Sequence, residues 1–563
     1  MISAAGRNIR GVKKHFNYYS VNCGAATTKH RPAGKTDSKI TELRGWCPRR
    51  GLSALPASSM PFIQLPFCRS RPRSAAWHAL ALLACLAGCA APPAVPELAT
   101  DVPAQWQNAA GAGIAPAAGP WWQAFGDPML DQLIGQALAG NFGIAEAQAR
   151  LQAARRLAGA AQAPYRPALA ARTRDAIAAD ASTSYFQAGF DATWELGLFG
   201  RAESVQRQAD ASVAGAAASL QGARVSVAAE VARAYREMRN AQERTRLLEQ
   251  AVAVQQRRGE LLAVRQRARL AAGAELDQAG AALEQARAQL AEPAIAMRQA
   301  AQRLAMLLGR AAPDPAWLTP SAASAPDAPA YAALPAAPAD MLRTRPDIQL
   351  AQARVLDAAG ALGVAHADLY PRLGLGGSLT VAVSNIGRRA SSASRTVFSF
   401  GPLIDIPLFD WGQRRAAEQA RDDELEAALL AYRQAVLEGL SEAESALVEL
   451  DEYRKRREAE QRALQALRKA DGQGRELVRL RLASEYDSID LAARRVQAEL
   501  ALSATTLAQE LAFISLHKAV GGAPAWTAAG ATQATSSSAG PAQTRDGSDT
   551  AADRLPASAA PRS

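Results

Sequence analysis

Cysteine is confined to the front of this 563-residue chain: Cys23, Cys47, Cys68, Cys85 and Cys89 are all there are, and none follows residue 89. A chain beginning at Cys89 has no disulfide partner left, which excludes a disulfide scaffold and a cysteine-ligated metal. Long hydrophobic runs are also missing. No segment offers the roughly 18–20 uninterrupted apolar residues of a spanning helix, so any membrane crossing must use short strands. Catalytic signatures are absent as well: there is no G-x-S-x-G, no Walker loop and no H-E-x-x-H. "GLGG" at 374–377 lacks the spacing of a phosphate-binding loop and reads as glycine within a strand. Past residue 89 only His366 and His517 remain, neither with a metal-site companion in sequence. No enzyme, metal or cofactor chemistry is expected.

Positive charge is scarce beyond the leader too. The chain's formal +11 looks like a nucleic-acid or anionic-surface signal until it is divided. Residues 1–59 hold 11 Lys/Arg against 2 Asp/Glu, and Arg69, Arg71 and Arg73 raise residues 1–88 to +12. The remainder has 50 Lys/Arg against 51 Asp/Glu. The basic character belongs to the leader, and a nucleic-acid partner is excluded.

What is present begins at Met60. Three arginines precede a mostly apolar run, Ala75 to Leu86, which ends in small residues, the layout of a secretory signal peptide. Leu86-Ala87-Gly88-Cys89 resembles a bacterial lipobox, cut between Gly88 and Cys89, with diacylglycerol on the Cys89 thiol and an acyl chain on its new N-terminus. Those chains supply enough buried CH₂ for a stable anchor. Ala90, not Asp, favours the outer membrane by resemblance to enterobacterial sorting. A signal peptide belongs at the N-terminus, so residues 1–59 read as an upstream mis-assigned start and 60–88 as the signal.

The remainder is duplicated. "AQARLQAA" (147–154) recurs as "AQARVLDAA" (351–359), and Tyr165 answers Tyr370. Gly200 matches Gly412, Glu230 matches Glu442, and "RARLAAG" (267–273) matches "RLRLASE" (479–485), all at an offset of 212. Loops tolerate insertions, so a constant offset over about 67 residues predicts a rigid rod in each copy, on the order of 100 Å long if helical. Ala, Glu, Gln, Arg and Leu dominate residues 201–308 and 413–519, and Pro293 is the sole proline in either. Val231, Tyr235, Met238, Leu248, Val252 and Leu262 form a near-heptad stripe. Chain reversals are expected at Gly273 and at Ser484–Asp487. A helix capped by Asp127, with Pro128 in its first turn, is expected to run towards Ala163. Stacked end to end with residues 273–309, it would pair with the full-length rod.

Between short and long helices the period changes to two. Phe186, Phe190, Trp194, Leu196 and Leu198 alternate with Gln187, Asp191, Thr193 and Glu195. Leu373, Leu375, Leu379, Val381 and Val383 alternate likewise, as do Phe398, Phe400, Ile404, Ile406 and Leu408. This fits transmembrane β-strands, apolar outside and polar inside. Four strands per chain cannot close, and open edges are not tolerated in lipid. Three subunits would give twelve strands.

"WWQAFGDPMLDQLIGQAL", "LRTRPDIQLAQARV", "ADLYPRLGL" and "PLFDWGQRRA" resemble the TolC-like outer membrane factors, specifically the NodT-type lipoproteins of RND efflux systems, over about residues 98–522. The resemblance implies a mainly α fold with membrane β: a homotrimer whose twelve-stranded barrel, set in outer-membrane lipid, continues into a long α-helical barrel in the periplasm. It implies a passive exit duct for small molecules, with a periplasmic adaptor (membrane fusion) protein and an inner-membrane RND pump as partners. Type I protein secretion and a lipid-anchored coiled-coil scaffold are the alternatives. The domains read as a lipidated linker (89–126), a first repeat (127–310), a linker (311–341), a second repeat (342–522) and a Ser/Ala/Gly/Pro-rich tail expected to be disordered (523–563). Tyr165-Arg166-Pro167 departs from the usual Tyr-Pro and leaves the start of the first strand open.

The candidate site lies at the rod tips. Asp277, Asp487 and Asp490 fall within a turn or so of the expected reversals. In a trimer each would form a ring of three, narrowing the pore and favouring cations. Arg267, Arg269, Arg479 and Arg481 are the expected partners that hold such a gate closed. The same Arg-Leu-rich tips would dock the adaptor, as the resemblance implies.

Overall fold

The computed structural model describes residues 97–98, 102–108, 120–176, 185–319, 338–384 and 394–522. Cys89, the signal segment and the tail lie outside the described residues. In chain order the elements are α1 (Pro128–Gly140), α2 (Phe142–Ala160), β1 (Ala168–Ala176), β2 (Tyr185–Glu195), α3 (Arg201–Arg267), α4 (Gly273–Gln289), α5 (Ala291–Leu307), α6 (Met341–Thr344), α7 (Pro346–Ala367), β3 (Arg372–Ser384), β4 (Ser394–Asp405), α8 (Gln413–Arg479) and α9 (Glu485–Ala519).

The two rods, α3 and α8, are each 67 residues long, so the constant offset is the signature of two helices of identical length. Their ends repeat in conformation as well. Each begins after a left-handed glycine, Gly200 (φ 76°) or Gly412 (φ 80°), preceded by a left-handed aromatic, Phe199 or Trp411, both at φ 57°. The predicted stripe on α3 is largely core: Val231, Tyr235, Met238, Leu248 and Leu262 are all buried.

Asp127 caps α1 through its side chain, 3.0 Å from the Met129 amide, with Pro128 at the first position. The helix does not run on to Ala163. Gly140 ends it, and Asn141 leaves the helical region to cap α2, its Oδ1 accepting from the Gly143 and Ile144 amides at 2.9 and 3.2 Å. A second correction concerns residues 273–309. Pro293 cannot donate to the carbonyl four residues back and its ring crowds it, so the return breaks at Leu290 into α4 and α5. The proline-free second copy returns as one 35-residue helix, α9.

The half-length helices meet end to end. In the first copy the Asn141 amide donates to the Leu307 carbonyl at 2.9 Å, and left-handed Gly309 sits where an added Cβ would come 3.0 Å from the Gly140 carbonyl. In the second, Arg345 occupies the cap position and its guanidinium donates to the Ala519 carbonyl at 2.5 Å, while the Thr344 hydroxyl donates to the Val520 carbonyl at 2.9 Å. Around the junctions lies the main core, with Phe125, Ile134, Leu304 and Phe513 almost inaccessible. A smaller core joins α7 to α8 through Ile348, Val355, Tyr432 and Val436.

The four strands form one antiparallel sheet in the order β1-β2-β3-β4. Phe190 lies opposite Leu379, which lies opposite Phe398, and Trp194 lies opposite Leu375. Strand alternation therefore puts Phe186, Phe190, Trp194, Leu373, Leu375, Leu379, Val381, Phe398, Phe400 and Ile404 on one face, where Phe190, Phe398 and Phe400 are 53, 74 and 70 % exposed; Leu196, Leu198, Ile406 and Leu408 fall beyond the ends of β2 and β4. The other face carries Asp191, Thr193, Ser378 and Ser399, and the two serine hydroxyls lie 2.9 Å apart. The first strand begins at Ala168, just past Pro167. Among the described residues, no helix is long and apolar enough to cross a membrane.

Candidate functional site

The two rod tips are built alike. After α3, the Arg269 amide donates to the Gln266 carbonyl (2.9 Å) and the Leu270 amide to the Arg265 carbonyl (2.8 Å). After α8, the Arg481 amide donates to the Val478 carbonyl and the Leu482 amide to the Leu477 carbonyl, both at 2.9 Å. This is a helix stop of the kind that wants a left-handed residue, normally glycine. Here arginine takes it: Arg269 and Arg481 both have φ 59°. The reversals are thus residues 268–272 and 480–484, slightly ahead of the expected positions, and Gly273 already belongs to α4. Leu270 and Leu482 are 69 and 73 % exposed, so each tip presents an apolar side chain flanked by arginine.

Asp277 and Asp487 are exposed on the opening turns of α4 and α9. Asp490 lies 3.2 Å from the Arg258 guanidinium. The tip arginines have other contacts: Arg267 approaches the Ala263 carbonyl at 3.3 Å, and Arg479 holds Glu476 on its own helix at 2.8 Å. The structure therefore does not bring Asp490 to any of the four arginines expected, because the rod between two and three turns back from the tip faces the start of α9 first.

That facing region holds residues the sequence reading missed. Arg257 grips Glu485 with two bonds of 2.8 Å and reaches Glu260 at 2.8 Å as well. Hydrogen bonding to Arg257 keeps the Glu485 carboxyl below the ordinary carboxylate range. Beside this pair the Arg265 guanidinium lies over the Tyr486 ring, 4.4 Å from its centre. Together with Arg258–Asp490, these contacts tie the first-copy rod to the second-copy return helix near the tips. The only sequence signal was opposite charge on either side of the reversals, without periodicity to mark it.

Deeper along the rods, Arg236 and Glu510 form a fully buried ion pair, with one bond of 2.8 Å from Nε. Burial pushes the Glu510 carboxyl up while Arg236 pulls it down. Among the described residues no group of His, Cys, Asp and Glu could hold a metal ion. The described residues offer long helical surfaces, a two-faced sheet and charged tips.

Comparison with known proteins agrees with that geometry. The profile of the outer membrane efflux protein family matches residues 133–310 and again 337–522, one match per copy. Nodulation protein T of Rhizobium leguminosarum bv. trifolii is 26 % identical over 394 residues, covering 68 % of this chain and 82 % of its own. Outer membrane protein OprJ of Pseudomonas aeruginosa is 27 % identical over 461 residues, 79 % of this chain and 95 % of its own. Among solved structures, the outer-membrane channel OprN superposes with a TM-score of 0.65 at 29 % identity, covering 76 % of this chain and 99 % of that one. The chain belongs to the outer membrane efflux protein family: it is an internally duplicated, TolC-like efflux channel of the cell outer membrane that extends into the periplasm.

Proposed function

We propose that three copies of this chain close into a twelve-stranded barrel and a helical tunnel, forming the passive exit duct of a tripartite RND efflux pump for small molecules. The observation that carries this is the sheet. It has a largely exposed apolar face, a face that carries polar residues, and, among the described residues of one chain, edges at β1 and β4 that no further strand covers. Lipid accepts such a face but not such edges. Relatives are called antibiotic and toluene efflux pump outer membrane proteins, which favours a pump over a protein-secretion duct. Substrate choice then rests with the inner-membrane pump. The test is purification from outer membranes, followed by native sizing and planar-bilayer recording. Heat-modifiable trimers that conduct are expected; a non-conducting monomer overturns the proposal.

Two finer assignments belong to the same reading. Cys89 carries the diacylglycerol and N-acyl chains, and Cys89→Ala should leave an uncleaved or soluble precursor on mass analysis. At the tips, Asp277, Asp487 and Asp490 form the cation-favouring rings, and the exposed Leu270 and Leu482 with their arginines meet the adaptor. Asp487→Ala with Asp490→Ala should change single-channel conductance and reduce cation preference; unchanged values would remove the gate assignment.

A further inference from the structure

The polar face of the sheet changes character along its length. Every second residue of a strand lies on one face, and antiparallel partners share it. The ladder therefore divides the polar face into rows. Ala168, Thr193, Gly376 and Gly401 form one, and Ala170, Asp191, Ser378 and Ser399 the next. Side chains in both rows are small, and the only charge is Asp191. The following two rows differ. Arg172 lies opposite Gly189, which lies opposite Thr380. Beyond them Arg174, Gln187, Ala382 and Arg395 are in line, with an arginine on each edge strand.

The arginine rows sit at one end of the sheet. Helix α2 leads into β1 and α3 follows β2, just as α7 leads into β3 and α8 follows β4. The arginines are at the opposite end, beside the connectors 177–184 and 385–393. Because the channel reaches the periplasm through its helices, the arginine end is the outer one. At the helix end the same face carries Glu195, Asp405 and Arg372, and Asp368 already holds the Arg372 guanidinium at 2.7 Å. In the outer rows Asp191 is the one opposing charge among the described residues. It lies 3.6 Å from Arg172, whose side chain is still 74 % exposed. Gly189, beside Arg172, has no side chain with which to cover it.

We infer that the outer half of the barrel is an anion-binding collar, a site at the duct's exit for solutes bearing several phosphate, sulfate or carboxylate groups. This rests on the trimeric channel reading. With the apolar face in lipid the polar face lines the lumen, and three chains bring nine arginines there against three aspartates. Successive rows on one face are about 7 Å apart along a strand. That is within the screening length of about 8 Å in physiological salt, so the rows act together. Guanidinium groups suit oxyanions because their planar forks make paired, charge-assisted bonds. The collar draws anionic cargo out of the tunnel and turns back cations arriving from outside. With aspartate rings at the rod tips, the fixed charge changes sign along the duct.

The test is sided block of purified channels in planar bilayers by inositol hexaphosphate. A tunnel on the order of 100 Å long does not cross a bilayer, so channels added to one chamber insert with the collar opening to the other. Addition to that far chamber should block current at about 0.1 M salt and lose its effect at about 1 M, where the screening length is about 3 Å. Addition to the near chamber should block less. Arg172→Gln with Arg174→Gln and Arg395→Gln should raise the blocking concentration roughly tenfold or more, as charge-assisted contacts are lost. The same variant should shift the reversal potential in a salt gradient towards cations. Arg172→Gln alone should weaken block and Asp191→Asn should strengthen it, which decides the matter even if the triple variant does not assemble. Asp487→Ala with Asp490→Ala should leave far-side block unchanged. No far-side block of a conducting parent chain, or block that none of the arginine variants alters, would overturn the collar and leave the channel reading intact. A parent chain that does not conduct would overturn both.

Discussion

The two junctions where half-length helices meet solve one problem with different residues. In each, a left-handed glycine ends the returning helix (Gly309, Gly521), and a cap side chain from the neighbouring helix donates to its last turn. In the first copy that side chain is Asn141, a neutral amide. In the second it is Arg345, almost fully buried and paired with Asp347 at 2.6 Å and Glu442 at 2.8 Å. The rods, by contrast, agree to the residue in length and in the conformation of both ends. Duplication has kept what sets the dimensions of the tunnel and let diverge what each copy packs against.

Three sites test how far the copies have parted. The largest effect is expected at the buried pair joining the first-copy rod to α9. The same rod position in the second copy is Val448, so this link exists once. Arg236→Met strands Glu510 in the core and should cost about 3–5 kcal/mol, read as a lower melting temperature by circular dichroism in detergent. Arg236→Met with Glu510→Met should regain most of it. Next is His517, buried against Trp121 and Phe513, where the first copy has Ala305. Burial holds its imidazole down at about 4. An unfolded histidine titrates near 6.5, so the unfolded chain takes a proton that the folded one refuses. Stability should therefore fall by up to about 3 kcal/mol as pH drops from 6.5 to 4, then level off. His517→Phe should remove that slope. Third, Arg345→Gln leaves the Ala519 carbonyl short of a donor and should cost about 2–3 kcal/mol, against about 1–2 kcal/mol for Asn141→Ala. Equal costs would mean that the ionic surroundings of Arg345 add nothing.

Much of this was legible in the sequence. The offset of 212 between Gly200 and Gly412 carried the rods, because helix length cannot drift when both copies line one tunnel. Alternation carried the sheet faces. The interruptions at Asn141 and Leu290 were less visible: Asn141 competes with its own helix through a short side chain, and Pro293 acts on the carbonyl four residues earlier. The tip contacts were least legible. Arg257 and Glu485 meet because two helices cross there, and no local spacing records which of several arginines faces a given carboxylate.

The smallest effect expected is the same in both copies. Arg269 and Arg481 hold a left-handed conformation at helix ends, which costs a non-glycine residue about 1–2 kcal/mol. Glycine relieves this but gives back some of the gain through the extra freedom of its unfolded chain. Arg269→Gly and Arg481→Gly should each therefore stabilise the fold by about 0.5–1 kcal/mol, and by equal amounts, since φ is 59° at both. A gain at one tip alone would show that the copies differ where their backbones coincide. The same pair separates stability from function. If strain is tolerated there because the guanidinium contacts the adaptor, the glycine variants should melt higher yet export less in cells, and purified channels should conduct as before. Unchanged export would leave the left-handed arginines as turn residues and place adaptor contact on Leu270 and Leu482.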